Sequence, residues 1–337
     1  MRAMLLRSTA SMDEQGNPLA LADIPRPVPA PGEVLIEVIA CGVCHTELDE
    51  IEGRTAPPVL PVVPGHEVVG RVAEAGSDVR LHSVGDRVGV GWIHSSDGSE
   101  TENISEKFCA TGRDTNGGYA EFMTVPESYA YPIPDEFSDA EAAPLLCAGG
   151  VGYRALKLCG LENGQVLGLT GFGGSGHLVL QLAKHLYPSS PVFVFARSSG
   201  EREFAIELGA DWSGGTESEP PVMPHAIIDT TPVWKPVIAA LACLRPGGRL
   251  VINAIRKENA DRDLLATIRY EDHLWQEKEI KTVANVTHHD IAEFLPIAAR
   301  IPLRVEVQTY PLQAANEALQ DLRAGQIRGA KVLIINN

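Results

Sequence analysis

Between Gln165 and Ala254 the chain alternates β-branched runs with helical ones: QVLGLT, HLVLQLAKHL, PVFVFA, EREFAIELG, AIIDT, PVIAALACL and GRLVINA. Strands separated by helices of about 10 to 15 residues cannot pair as hairpins, so each must return parallel to its neighbour through a crossover helix. The pattern predicts a doubly wound parallel sheet, an α/β arrangement buried on both faces. GFGGSG at 171–176 falls between the first of these strands and the first helix. In that setting its glycines permit a tight turn and let backbone N–H groups approach a dinucleotide pyrophosphate at the helix N-terminus. Elsewhere the same motif is only a turn.

A chain of 337 residues exceeds what one hydrophobic core usually organises, which points to two domains of roughly 150 residues each. The first third reads differently from the middle. EVLIEVIA (33–40), EVVGRVAEAG (67–76), GDRVGV (85–90) and GYAEFMTV (118–125) are short β runs bounded by Gly, Pro or Asp, the mark of a mainly antiparallel, barrel-like domain. Near 136 the pattern changes to FSDAEAAPLLCAGGVGYRALKLCG, a helical period with Ser138 or Asp139 as N-cap and Gly160 as its stop. Domains are therefore expected at 1–150 and 151–289, with 290–337 as a separate tail of mixed elements. Lys and Arg number 28 against 44 Asp and Glu, a net charge of −16 that repels nucleic acid phosphate and anionic lipid. No apolar run reaches the length of a membrane span, and the N-terminus lacks a secretory pattern. A cytoplasmic protein without nucleic-acid or membrane partners is expected.

Three stretches carry metal-binding chemistry: CGVCHTE (41–47), GHE (65–67) and LLCAGG (145–150). Cys44, His66 and Cys147 offer two thiolates and one imidazole from distant segments. That is one ligand short of a closed tetrahedral zinc site, the composition of a catalytic rather than a structural centre. Glu67, beside His66, could orient or enter the metal shell, and Glu47 could accept the second ring proton of His66. Cys41, Cys44 and His45 also fit the CxxCH haem-attachment spacing, a reading that the missing export pattern disfavours. Cys41, Cys159 and Cys243 are expected to be inert thiols.

Together with GFGGSG, and nearly end to end, these motifs resemble the zinc-dependent alcohol dehydrogenases of the medium-chain dehydrogenase/reductase superfamily. The resemblance implies a GroES-like catalytic domain over 1–150, a Rossmann-type dinucleotide-binding domain over 151–289 and a return of 290–337 to the first domain. It implies hydride transfer between an alcohol or aldehyde and a nicotinamide, in a homo-oligomer (dimer or tetramer). It makes Cys44, His66 and Cys147 the zinc ligands, puts His45 near the cofactor pyrophosphate and gives the Thr46 hydroxyl the outward relay of the substrate proton. Asp49 stands where many relatives have a histidine that completes this relay; a carboxylate of ordinary pKa is a weak base there, so Thr46 is expected to be needed and Asp49 only helpful. Trp92 is expected to line the substrate pocket, and Arg328 to lie where some relatives grip the pyrophosphate.

Two departures narrow the expectation. Relatives often carry four cysteines around a structural zinc after the GDRVGV strand; here Asp97, Glu100 and Asn103 stand about where the first three would be, and only Cys109 remains. One thiolate with hard oxygen ligands does not make such a site, so one zinc per chain is expected. At the end of the second parallel strand, NAD-binding relatives place an acid for the ribose 2′-hydroxyl. This chain has Ala196, then Arg197, Ser198 and Ser199, which removes a repulsion and offers donors to a 2′-phosphate. NADP(H) is expected over NAD(H), held by Gly171, Gly173, Gly174, Gly176, Arg197, Ser198 and Arg328. The alternatives are a zinc-free quinone or enone reductase of the same superfamily and a non-catalytic dinucleotide-binding protein.

Overall fold

The computed structural model describes residues 1–12, 16–325 and 329–336. It divides into two compact units: Met1–Cys147 with Val286–Arg300 and Val305–Asn337, and Ala148–Asn285 with Ile301–Arg304. The sequence reading put these divisions at 150/151 and 289/290. The structure places them a few residues earlier, at a break in the first helical run and at a helix N-terminus.

The first unit begins with an antiparallel pair, β1 (Arg2–Leu6) and β2 (Leu19–Asp23). Its main sheet is built on β3 (Glu33–Val43), which is antiparallel to β4 (Val68–Ala75); β4 pairs in turn with β5 (Arg87–Val90). Beyond a small hairpin of β6 (Ile93–Ser95) and β7 (Cys109–Ala110), β8 (Phe122–Pro126) also pairs with β3, and β9 (Tyr131–Pro132) with β5. Along β3, Val34, Ile36 and Val38 pack into the core beside Val68, Val72, Met123 and Val125, and Leu35 and residues 40–43 are buried as well. Between β3 and β4 runs α1 (His45–Ile51). After β9 the expected helix appears in pieces: α2 (Asp139–Ala142), a 3₁₀ turn at Ala143–Leu146, and α3 (Ala148–Cys159). Ser138 is the N-cap, in a capping box with Glu141. Pro144 lies in the 3₁₀ turn, and Cys147, with φ −126° and ψ −76°, leaves helical geometry. A proline lacks the N–H and crowds the preceding turn, so the run cannot continue smoothly.

In the second unit the strands β10 (Leu167–Thr170), β11 (Val192–Phe195), β12 (Trp212–Gly214), β13 (Ala226–Asp229), β14 (Arg249–Ile252) and β15 (Glu279–Thr282) form one all-parallel sheet. Its order is β12-β11-β10-β13-β14-β15, the doubly wound Rossmann order with a switch point between β10 and β13. Every residue of β10, β11 and β13 is buried. The crossovers carry α4 (Gly176–Leu186), α5 (Ser199–Glu207), α6 (Lys235–Cys243) and the short α7 (Tyr270–His273).

The tail forms α8 (His288–Ala298), capped by Thr287 with Asp290, then β16 (Val307–Pro311), α9 (Ala315–Arg323) and β17 (Ala330–Ile334). β17 inserts between β16 and β3 of the first sheet, so the tail returns to the first unit. Ile301–Arg304 instead packs with the second: Arg304 N–H donates to Gln181 Oε1 at 2.8 Å and its guanidinium pairs with Glu207. Among the described residues no helix is long and apolar enough to cross a membrane.

Candidate metal centre and dinucleotide site

Cys44 follows the last residue of β3 and is the N-cap of α1; its backbone N–H donates to Glu47 Oε2 at 2.8 Å. The other oxygen of Glu47 lies 2.5 Å from His66 Nδ1, with both side chains fully buried. That bond fixes the ring and leaves Nε2 as its free face. His66 Nε2 is buried without a hydrogen-bond partner. Cys147 enters from the break before α3. One donor atom from each of Cys44, His66, Glu67 and Cys147 falls within 4.8 Å of the others. Glu67 reaches this cluster only because residue 42 is glycine: a Cβ there would stand 1.8 Å from Glu67 Oε2.

The electrostatics of the cluster centre on the Cys44 thiolate. A hydrogen bond with Cys147 holds the Cys44 thiol well below its ordinary pKa despite burial, while the same bond and burial push Cys147 well above it. Burial, then the Cys44 charge, raises Glu67. Burial, then Glu47, raises Glu50, one helical turn beyond Thr46 on the same face of α1 and foreseen by no motif. A favoured Cys44 thiolate that raises the Cys147 and Glu67 acids around it, beside the buried Nε2 of His66, fits a divalent ion with sulfur and nitrogen ligands.

The remaining expected residues distribute unevenly. Thr46 is buried, its Oγ1 3.6 Å from Cys44 Sγ. His45, first residue of α1, is exposed. Trp92 lies near the site, its ring centroid 6.1 Å from that of His66 in a tilted contact and 5.5 Å from Phe108 edge to face, with the Arg113 guanidinium 5.8 Å away over the indole. Asp49 does not present an open carboxylate: it is fully buried and accepts a 2.6 Å hydrogen bond from Arg54 Nε. Its Oδ1 is thus engaged in an ion pair with Arg54.

In the β6–β7 lobe, Asp97 accepts from Ser99 N–H at 3.1 Å and Ser105 Oγ at 2.6 Å, bonds that hold its pKa down to about 2. Glu100 is exposed and Cys109 half-buried. The lobe's anchor is Glu102, fully buried, which accepts Tyr129 Oη–H at 2.9 Å, the His288 backbone N–H, and His288 Nδ1 at 2.7 Å. Sequence reasoning missed it because its partners lie 27 and 186 positions away. Glu102→Ala leaves these donors buried and unanswered, at a cost of about 3 kcal/mol. Chemical denaturation should show that loss, and an unchanged midpoint would mean the lobe is held by other contacts.

In the second unit Gly171 follows β10 with φ +80°, and a Cβ on it would lie 2.8 Å from Thr230 Oγ1. Gly173 and Gly174 form the bend and turn, and Gly176 opens α4. Ala196 and Arg197 follow β11, with Arg197 exposed. Ser198 is the N-cap of α5: its Oγ donates to Glu201 Oε2 at 2.8 Å and accepts Glu201 N–H at 3.2 Å. Its hydroxyl is thus engaged as a helix cap. Arg202, which the motif did not single out, donates to the carbonyls of Ala196 and Arg197, both at 2.9 Å. Arg328 lies outside the described residues.

Residues 30–135 match the alcohol dehydrogenase GroES-like domain. Over 99% of this chain and 97% of the relative, the sequence is 40% identical to a Mycobacterium tuberculosis protein named "Probable alcohol dehydrogenase". The chain belongs to the alcohol dehydrogenase family of the medium-chain dehydrogenases/reductases. An alcohol dehydrogenase of Geobacillus stearothermophilus is 35% identical over 96% of this chain and 98% of its own. Among solved structures, a cinnamyl alcohol dehydrogenase of Sorghum bicolor superposes with a TM-score of 0.81 at 26% identity, covering 99% of this chain and 97% of that one. This family member is accordingly an oxidoreductase acting on alcohols, and the non-catalytic alternative falls away.

Proposed function

We propose that this chain is a zinc-dependent alcohol dehydrogenase, and an aldehyde reductase in the reverse direction, that uses NADP(H) in preference to NAD(H) and holds one zinc per chain. The observation that carries the metal assignment is the orphaned, buried Nε2 of His66 within a set of sulfur and carboxylate donors that share 4.8 Å of space. Cys44, His66 and Cys147 would hold the ion; two thiolates and a neutral imidazole balance a dication without leaving net charge in a buried site. When bound, zinc supplies a Lewis acid for the substrate oxygen, and the nicotinamide donates or accepts the hydride. Glu47 keeps the proton of His66 on Nδ1. Thr46 Oγ1 carries the substrate proton outward. Retention of the whole donor set disfavours the zinc-free reductase reading.

NADP(H) preference is supported by the absence of a carboxylate at residue 196 and by two guanidinium groups, Arg197 and Arg202, beside that strand end. Glu201 opposes them from the first turn of α5, and two cations against one anion still favour a 2′-phosphate. With a panel of primary, secondary and aromatic alcohols and their carbonyl counterparts, kcat/KM should be about tenfold or more higher with the phosphorylated cofactor. Elemental analysis of the purified protein should give one zinc equivalent. A strong NAD preference would overturn the cofactor assignment, and two tightly held equivalents would overturn the single-zinc assignment.

A further inference from the structure

A buried ion pair in the second unit is not used by the chemistry above. Asp229 ends β13 and is fully buried; Thr170 ends the adjacent β10. These two strands flank the switch point of the sheet, the place where doubly wound folds take their ligands. Asp229 Oδ1 accepts hydrogen bonds from Thr170 Oγ1 at 2.6 Å and Thr231 Oγ1 at 2.7 Å. Its Oδ2 pairs with Lys257 Nζ, whose side chain is only 8% exposed. The same ammonium donates to the carbonyls of Thr231 at 2.6 Å and Val233 at 3.2 Å. An ammonium has three protons, so all are directed into protein and none is left for a ligand.

The segment held in this way adjoins the glycine turn. Thr230 Oγ1 donates to the carbonyl of Thr170 at 3.0 Å. A Cβ on Gly171 would come within 2.8 Å of Thr230 Oγ1 and 2.9 Å of Thr231 Cγ2. Residues 230–233 are therefore the wall against which the turn is set. A buried ion pair adds little net stability over an apolar replacement of the same shape, whereas this one fixes two carbonyls and a carboxylate at one point beside the motif.

We infer that Lys257 is a positioning residue for the dinucleotide: it ties the 230–233 segment to Asp229 and so sets the shape of the glycine turn, without touching the cofactor. The inference rests on the dinucleotide reading of GFGGSG. The test compares wild type, Lys257→Met and the double variant Asp229→Asn/Lys257→Met by fluorescence titration with NADPH and NADH, steady-state kinetics and thermal unfolding. Lys257→Met should weaken binding of the preferred cofactor about tenfold through lost preorganisation, with kcat within about threefold of wild type, and should lower the unfolding midpoint because Asp229 is left unpaired. In the double variant the midpoint should return toward wild type while the dissociation constant stays raised. Should Lys257→Met fail to fold, the double variant decides. Affinity that recovers together with the midpoint, or single-variant binding equal to wild type, would overturn the positioning role. A wild-type protein that binds neither dinucleotide would overturn the reading beneath it.

Discussion

Cys147→Ser is expected to leave the purified chain with little zinc and to lower kcat/KM for an alcohol by about four orders of magnitude, the loss of a Lewis acid contribution of several kcal/mol. Serine keeps the volume and removes the charge. A thiol loses its proton to a divalent ion readily, while a serine hydroxyl at neutral pH does not, so the donor set would hold one anionic sulfur instead of two. Geometry makes the substitution a clean probe, since Cys147 sits at the break between the 3₁₀ turn and α3 and does not support a helix from within. Cys243→Ser is the matching control: that thiol is half-buried in α6, donates to the carbonyl of Ala240 at 3.5 Å, and its loss should leave metal and rate near wild type. Zinc per chain measured by atomic emission, beside the initial rate, distinguishes the two variants. Full metal and full turnover in Cys147→Ser would remove that residue from the site.

The parallel sheet was legible because its strands are continuous apolar runs and its helices have clear periods. β13 is the example: all four of its residues are buried, and AIID reads as strand in isolation. β15 was not legible. Its EIKT is exposed at every position, so it has neither an alternating nor an apolar pattern, and only pairing with β14 makes it a strand. The first helical run shows the opposite limit. Its cap at Ser138 and its stop at Gly160 follow from local chemistry, but whether Pro144 would bend or break the run depended on packing, and the break is what frees Cys147 from helical geometry.

The candidate site divides along the same line. The Glu47–His66 hydrogen bond could be anticipated because both residues flank proposed ligands in short motifs. Ser198 follows a strand, where a phosphate donor is expected, and also opens a Ser-x-x-Glu capping box; the helix start at Ser199 shows the cap. A local motif with two uses is resolved only by knowing where the next element begins. Lys257 and Glu102 left no trace in the sequence at all, since each acts through partners more than 20 residues away. Long-range polar networks have no period and no motif.

Thr46→Val is expected to lower kcat about a thousandfold, in the range of losing a positioned proton-transfer group, with zinc content and cofactor affinity retained. Valine fills the same space in a position only 5% exposed, so the change removes the hydroxyl and little else. The neighbouring Asp49→Asn variant should behave differently: it breaks the ion pair of buried Asp49 with the partly exposed Arg54 and should lower the unfolding midpoint, while turnover stays within about tenfold of wild type. The comparison separates proton transfer from support of α1, because a hydroxyl that served only packing would give a stability loss with little change in rate. Near-normal turnover in Thr46→Val together with loss of activity in Asp49→Asn would reverse the assignment and route the proton through Asp49. Measuring both variants across pH strengthens the test, since the Thr46 hydroxyl does not titrate and its removal should lower the rate at every pH.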